Sequence, residues 1–113
     1  MQLAVSTLAS DSVDDLDLEC IITKLTADEA AGGYNWPESS ARQVEEAYRT
    51  FLKSAQQQML ENTGSATTDV SLQPTQVVDI FWHTHILFTR KYFSDCEAVF
   101  GRYLHHEPVL PGQ

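Results

Sequence analysis

The four histidines are the residues of this chain best suited to acid–base chemistry or metal binding. All of them lie in its C-terminal third: His83, His85, His105 and His106. Imidazole is the usual acid–base group near neutral pH and a common metal ligand. Asp79 precedes His83 by four residues, so on a helix the carboxylate could orient the imidazole, or the two could form an ordinary surface pair. No HExxH motif, CxxC pair or EF-hand loop accompanies them.

These residues suggest one candidate metal site, because nitrogen and oxygen ligands suit zinc or iron. A turn after Gly101 could return one tail histidine to the helix. The ligands would then be Asp79, His83 and either His105 or His106. The spacing alone makes no cofactor certain and leaves open whether the protein is an enzyme.

His83 and His85 cannot share a ligand on a regular helix, because two residues rotate by about 200°. A helical wheel places His85 on a broad apolar face, so we expect a buried imidazole bonded to Thr89, a backbone carbonyl or a tail residue. A functional role for His85 is the alternative. We expect His83 near the boundary of that face or in a cleft. The predicted binding residues are Asp79, Trp82, His83, His85, Tyr92, His105 and His106.

Helical spacing dominates the rest of the chain and predicts an all-α fold. A first helix is predicted from a cap at Asp11-Ser12 to about Leu25, and a second after Asn35-Trp36-Pro37. A third is predicted from Pro74-Thr75 to about Phe100, with Gly101 as its stop. The polar stretch 62–73 is predicted to be a surface loop. We therefore expect three main helices and a short histidine-bearing tail.

The second predicted helix carries the clearest apolar stripe in the chain, which favours a core position over a cofactor site. Its members are Ala41, Val44, Ala47, Tyr48, Phe51, Leu52, Ala55 and Met59. The length of 113 residues fits one domain. The predicted organisation is a loose leader over 1–10, a single helical domain over 11–108 and a tail over 109–113.

Charge is distributed unevenly along the chain. The net charge is −9, and residues 1–46 contain ten acidic but only two basic residues. Such a surface repels nucleic acid and anionic membranes and favours a protein partner with a basic surface. No apolar run reaches the ~18–20 residues that a membrane span needs. The presence of only two cysteines, Cys20 and Cys96, indicates a reduced, cytoplasmic protein. A disulfide bond between the two is the alternative.

Residues 74–108 carry the most specific pattern in the chain. It comprises Val78-Asp79, Trp82-His83-Thr84-His85-Ile86-Leu87, Thr89-Arg90-Lys91-Tyr92, Asp95-Cys96, Phe100-Gly101 and His105-His106-x-Pro108. This pattern resembles the glycine-rich domain-containing protein-like family, including its short bacterial single-domain members. The resemblance implies a small helical domain with a tryptophan–histidine signature, and it implies no reaction, substrate or metal.

Three hypotheses about function follow from these observations. The first is a helical binding or accessory module that acts through the segment Trp82-His83-Thr84-His85 and an acidic N-terminal surface. The second is a metal-binding protein or metal-dependent enzyme that uses Asp79, His83 and a tail histidine. The third is a purely structural signature, in which Trp82 and His85 organise the core.

Overall fold

The computed structural model describes residues 12–61 and 73–107, and within these ranges the protein is helical and has no strand. The four helices are α1 (Glu19–Thr26), α2 (Glu38–Glu61), α3 (Gln76–Leu87) and α4 (Thr89–Phe100), with 3-10 turns at Val13–Asp15 and Glu29–Ala31. The all-α prediction is confirmed, but the predicted three helices are wrong in number. The predicted leader, the terminal tail after 108 and nearly all of the loop lie outside the described residues.

The first predicted helix is wrong in its N-terminal half. Ser12 caps only a 3-10 turn, where its hydroxyl accepts a hydrogen bond from the Asp14 N–H at 3.1 Å. The chain then continues in extended form through Leu16, and α1 begins at Glu19. Leu16 and Leu18 are both buried, and side chains two residues apart share a side only where the chain is extended. Both leucines belong to the core, and the extended backbone at Leu16 separates the 3-10 turn from α1.

The second predicted helix is confirmed as α2. Gly32 adopts the left-handed conformation with φ of 85°, which ends the preceding turn, and Pro37 stands just before the first helical residue. Most of the predicted stripe faces the core, although Ala47 is exposed. Glu45 is buried on this helix as well, which the apolar pattern did not indicate.

The third predicted helix is two helices. Thr75 caps α3, and Gly101 ends α4 with φ of 73°, as predicted at both ends. Between them the backbone breaks at Phe88, whose ψ of 73° is not helical. The break lets α4 fold back on α3, so that both helices bury their apolar sides in one core. A single helical wheel over the whole segment is therefore invalid beyond Leu87.

The four helices enclose one core, to which the segment before α2 contributes residues as well as α2, α3 and α4. Cys20 is half-buried and Cys96 is buried, and both are free thiols. None of the helices in the described ranges is long and apolar enough to cross a membrane.

Candidate functional site

A chain of polar side chains crosses the core and joins three helices. The Tyr48 hydroxyl of α2 lies 2.7 Å from His85 Nδ1 on α3, and His85 Nε2 lies 2.8 Å from an Asp95 carboxylate oxygen on α4. Lys91 Nζ is 3.1 Å from the same oxygen. Because His85 is 1% exposed, a substrate has no access to its ring nitrogens.

The environment of these hydrogen-bonded side chains determines which atom carries each proton. Burial raises the pKa of the Asp95 carboxyl, but hydrogen bonds from His85 and Lys91 outweigh this effect and leave the pKa lowered. Burial lowers the pKa of His85 and holds the pKa of Tyr48 well above its ordinary value. An ionised carboxylate only accepts. His85 is therefore neutral at neutral pH, donates from Nε2–H to Asp95 and accepts the Tyr48 O–H at Nδ1.

The predicted burial of His85 is confirmed, while its predicted hydrogen-bond partners are wrong. Neither Thr89, nor a backbone carbonyl, nor a tail residue bonds to the imidazole within the described residues. One partner comes from α2 and the other from α4, which packs against α3 after the break at Phe88. Helical spacing on one continuous helix could not indicate either contact.

A second buried pair fixes the C-terminal tail, residues 101–107, to the helices. The Trp82 indole N–H donates to the Tyr92 hydroxyl at 2.8 Å, and this hydroxyl donates in turn to the Leu104 carbonyl oxygen. Leu104 is itself buried. Burial raises the pKa of Tyr92 well above its ordinary value, so its hydroxyl remains a donor. Trp82 and Tyr92 are thus interior residues that hold the tail in place.

The tail histidines have separate environments. The His106 ring stacks on Trp82 with ring centroids 3.9 Å apart and planes at 11°, and its Nε2 lies 2.7 Å from an Asp79 carboxylate oxygen. His105 is exposed and contacts Tyr103 edge-on at 4.8 Å.

The predicted metal ligands are therefore not assembled. The structure joins Asp79 to His106 but leaves His83 exposed and His105 elsewhere on the tail. Over residues 12–61 and 73–107, no three or more histidine, cysteine, aspartate or glutamate side chains are placed to hold a metal ion. The proposed zinc or iron site has no support here. The reason is geometric, because the tail approaches α3 through the Trp82 stack and its two histidines occupy different environments.

Sequence reasoning missed two aromatic residues, Phe93 on α4 and Tyr103 in the tail. Phe93 is 56% exposed, and its ring centroid is 6.4 Å from that of Tyr103, which in turn contacts His105. A helical wheel drawn over the whole predicted third helix could not indicate the exposure of Phe93, because the break at Phe88 precedes it. We call the surface formed by Phe93, Tyr103 and His105, which these ring contacts join, the tail face.

Comparison with known proteins gives a family but no function. A search of curated proteins gave no match, and a search of solved structures gave none either. The UCP032817-like family model matches residues 28–110, a range that contains α2, α3, α4 and the described tail. The inferred membership of the glycine-rich domain-containing protein-like family is therefore wrong. The family's description states no activity, so no residue role is transferred. The chain belongs to the UCP032817-like family.

Proposed function

We propose that the protein is a small helical interaction module that contacts its partner through the tail face. The observation that carries this proposal is the attachment of residues 101–107 to the helices. The Tyr92 hydroxyl holds the Leu104 carbonyl, and Trp82 and Asp79 hold the His106 ring. A surface that is already ordered loses little conformational entropy on binding, which favours affinity.

The buried residues of the signature support this surface instead of contacting the partner. Trp82 is 5% exposed and His85 1%, and each has hydrogen bonds to other core residues. This arrangement favours the structural reading for these two side chains. Recognition is then left to their exposed neighbours, which include His83 on α3 as well as His105 and Phe93.

Charge favours a protein partner with a basic surface. The chain carries a net charge of −9. Six exposed carboxylates of residues 12–61 make no ion pair with any described residue: Asp15, Asp17, Asp28, Glu29, Glu46 and Glu61. Such charges increase the rate of encounter with a basic protein. A cytoplasmic location, and the exclusion of nucleic acid and anionic membranes, stay predictions from composition.

Site-specific photocrosslinking tests the proposal. A photoreactive amino acid replaces His105 on the tail face or, as a control, the exposed Ser54 on α2. Each protein is then irradiated in an extract of the cells that produce it. We expect an adduct from position 105 that is absent from position 54 and that weakens as salt increases.

Competition decides whether the adduct reports a specific contact. Excess unlabelled wild-type protein should suppress the adduct, whereas Phe93→Ser should not, because it removes the exposed ring beside Tyr103. Circular dichroism of the variant establishes that it is folded. Equal adducts from positions 105 and 54, or equal suppression by wild type and Phe93→Ser, would show that the tail face is not the binding surface.

A further inference from the structure

Helix α2 carries a row of cations along one side. Arg42, Arg49 and Lys53 are separated by seven and four residues, which places them within about 40° of one another on the helix. Glu45 orients the two arginines, with carboxylate oxygens 3.2 Å from Arg42 and 2.6 Å from Arg49. We call the three cations the α2 ridge. They line a polar cleft of about 410 Å³.

All three cations of the ridge bind the N-terminal segment, residues 12–27. Arg42 binds a carboxylate of the segment through two nitrogens, Arg49 donates hydrogen bonds to two backbone carbonyls, and Lys53 forms an ion pair with a second carboxylate. The acceptors are Glu19 at 2.6 and 2.8 Å, the Val13 and Leu16 carbonyl oxygens at 2.8 and 3.1 Å, and Asp14 at 2.9 Å. The ridge thus binds carboxylates and backbone carbonyls of residues 12–27 through charge-assisted hydrogen bonds, which chains also use to bind one another.

Apolar side chains lie on the inner side of the same segment, which faces the core. Six of its apolar residues are buried against the rest of the fold, and α1 packs against both α2 and α3. These residues are Val13, Leu16, Leu18, Ile21, Ile22 and Leu25. A helix with one apolar side in a groove between two other helices is a common mode of peptide recognition.

The range of the family match includes the groove between α2 and α3 but not the segment that fills it. Residues 28–110 include α2, its ridge and α3, but they exclude residues 12–27. We propose that the groove between α2 and α3 is a docking site for acidic amphipathic segments, and that residues 12–27 occupy it as a displaceable ligand within the chain. A partner segment would present carboxylates to the ridge and apolar residues at the spacing of Ile21, Ile22 and Leu25.

A labelled peptide of residues 12–27 provides the direct test, with the full chain as receptor. Ile21→Asp places a charge on the buried side of the segment, so it weakens docking within the chain without altering the groove. Fluorescence anisotropy should show that this variant binds the peptide about tenfold or more tightly than wild type, whose groove is filled. A scrambled peptide is the control for composition.

The ridge should control this binding. Adding Arg49→Gln to Ile21→Asp removes the bonds to two carbonyls and should weaken peptide binding about tenfold. Arg90→Gln is the matched control, because Arg90 is exposed on α4 and pairs with no described residue. The proposal is overturned if a folded Ile21→Asp binds the scrambled peptide equally well, or if Arg49→Gln and Arg90→Gln have the same effect.

Hydrogen exchange provides a second test that does not depend on the folding of Ile21→Asp. In the wild-type chain, α1 amides should exchange through an opening that leaves α3 protected, and Arg49→Gln should accelerate exchange in α1 alone. Exchange of α1 and α3 through one shared opening, accelerated equally by Arg49→Gln, would contradict the proposal. Neither test uses a residue of the tail face, so failure here leaves the proposed function standing.

Discussion

Replacing Tyr48 by phenylalanine tests the hydrogen-bonded core most directly. The Tyr48 hydroxyl lies 2.7 Å from His85 Nδ1, and the residue is 0% exposed. Phenylalanine keeps the ring that packs on Phe81 at 4.8 Å and removes only the donor. His85 Nδ1 then becomes a buried acceptor with no donor, which costs about 1–3 kcal/mol of the free energy of unfolding.

Urea denaturation followed by far-UV circular dichroism measures this loss at about pH 7.5, above the ordinary histidine pKa of about 6.5. Tyr34→Phe is the matched control, because Tyr34 is exposed and its hydroxyl bonds to no described residue. We expect the control to change stability by less than about 0.5 kcal/mol. A Tyr48→Phe loss no larger than that of the control would refute the reasoning. So would an NMR spectrum showing the His85 proton on Nδ1.

Three further predictions concern pH, packing and thiol reactivity. Burial lowers the pKa of His85 in the folded protein, so as the pH falls the unfolded chain is protonated at this residue before the folded one. The free energy of unfolding should therefore decrease by up to about 1.4 kcal/mol per pH unit below about pH 6.5. Urea titrations at several pH values measure this decrease, and His85→Gln should not show it. A Cβ on Gly33 would lie 2.2 Å from the Ala27 carbonyl oxygen, so Gly33→Ala should lower the free energy of unfolding by about 1–3 kcal/mol; an unchanged urea midpoint would contradict this. Burial raises the pKa of the Cys96 thiol, so in Cys20→Ser a thiol reagent should label the folded protein far more slowly than the urea-unfolded one; equal rates would exclude this packing.

Local patterns in the sequence predicted those features whose causes are local. The spacing of apolar residues indicated α2, and Thr75 and Gly101 marked the start of α3 and the end of α4. The same spacing predicted that His85 is buried, and the acidity of residues 1–46 was visible as a count. Capping and amphipathic periodicity act within a few residues, so one sequence suffices to read them.

The acidity of the N-terminal half shows what a count of charged residues can and cannot predict. The count predicted a surface that faces a basic partner, but it could not show where each carboxylate lies. In the structure Asp14 and Glu19 bind Lys53 and Arg42 of the α2 ridge. These contacts link residues far apart in sequence, so part of the apparent partner surface binds the protein's own helix.

The tertiary structure decided the break at Phe88 and the contacts that it creates. Neither glycine nor proline marks that position, so no local signal in the sequence indicated a break there. His85 bonds to Tyr48 of α2, 37 residues away in sequence, and to Asp95 of α4. His106 contacts Trp82 and Asp79, while His83 is exposed. The sequence by itself determined most of the apolar core positions of α2, the burial of His85, and those helix ends that Pro37, Thr75 and Gly101 mark. Which side chains meet depended on how those helices pack, and helical periodicity carries no information about that.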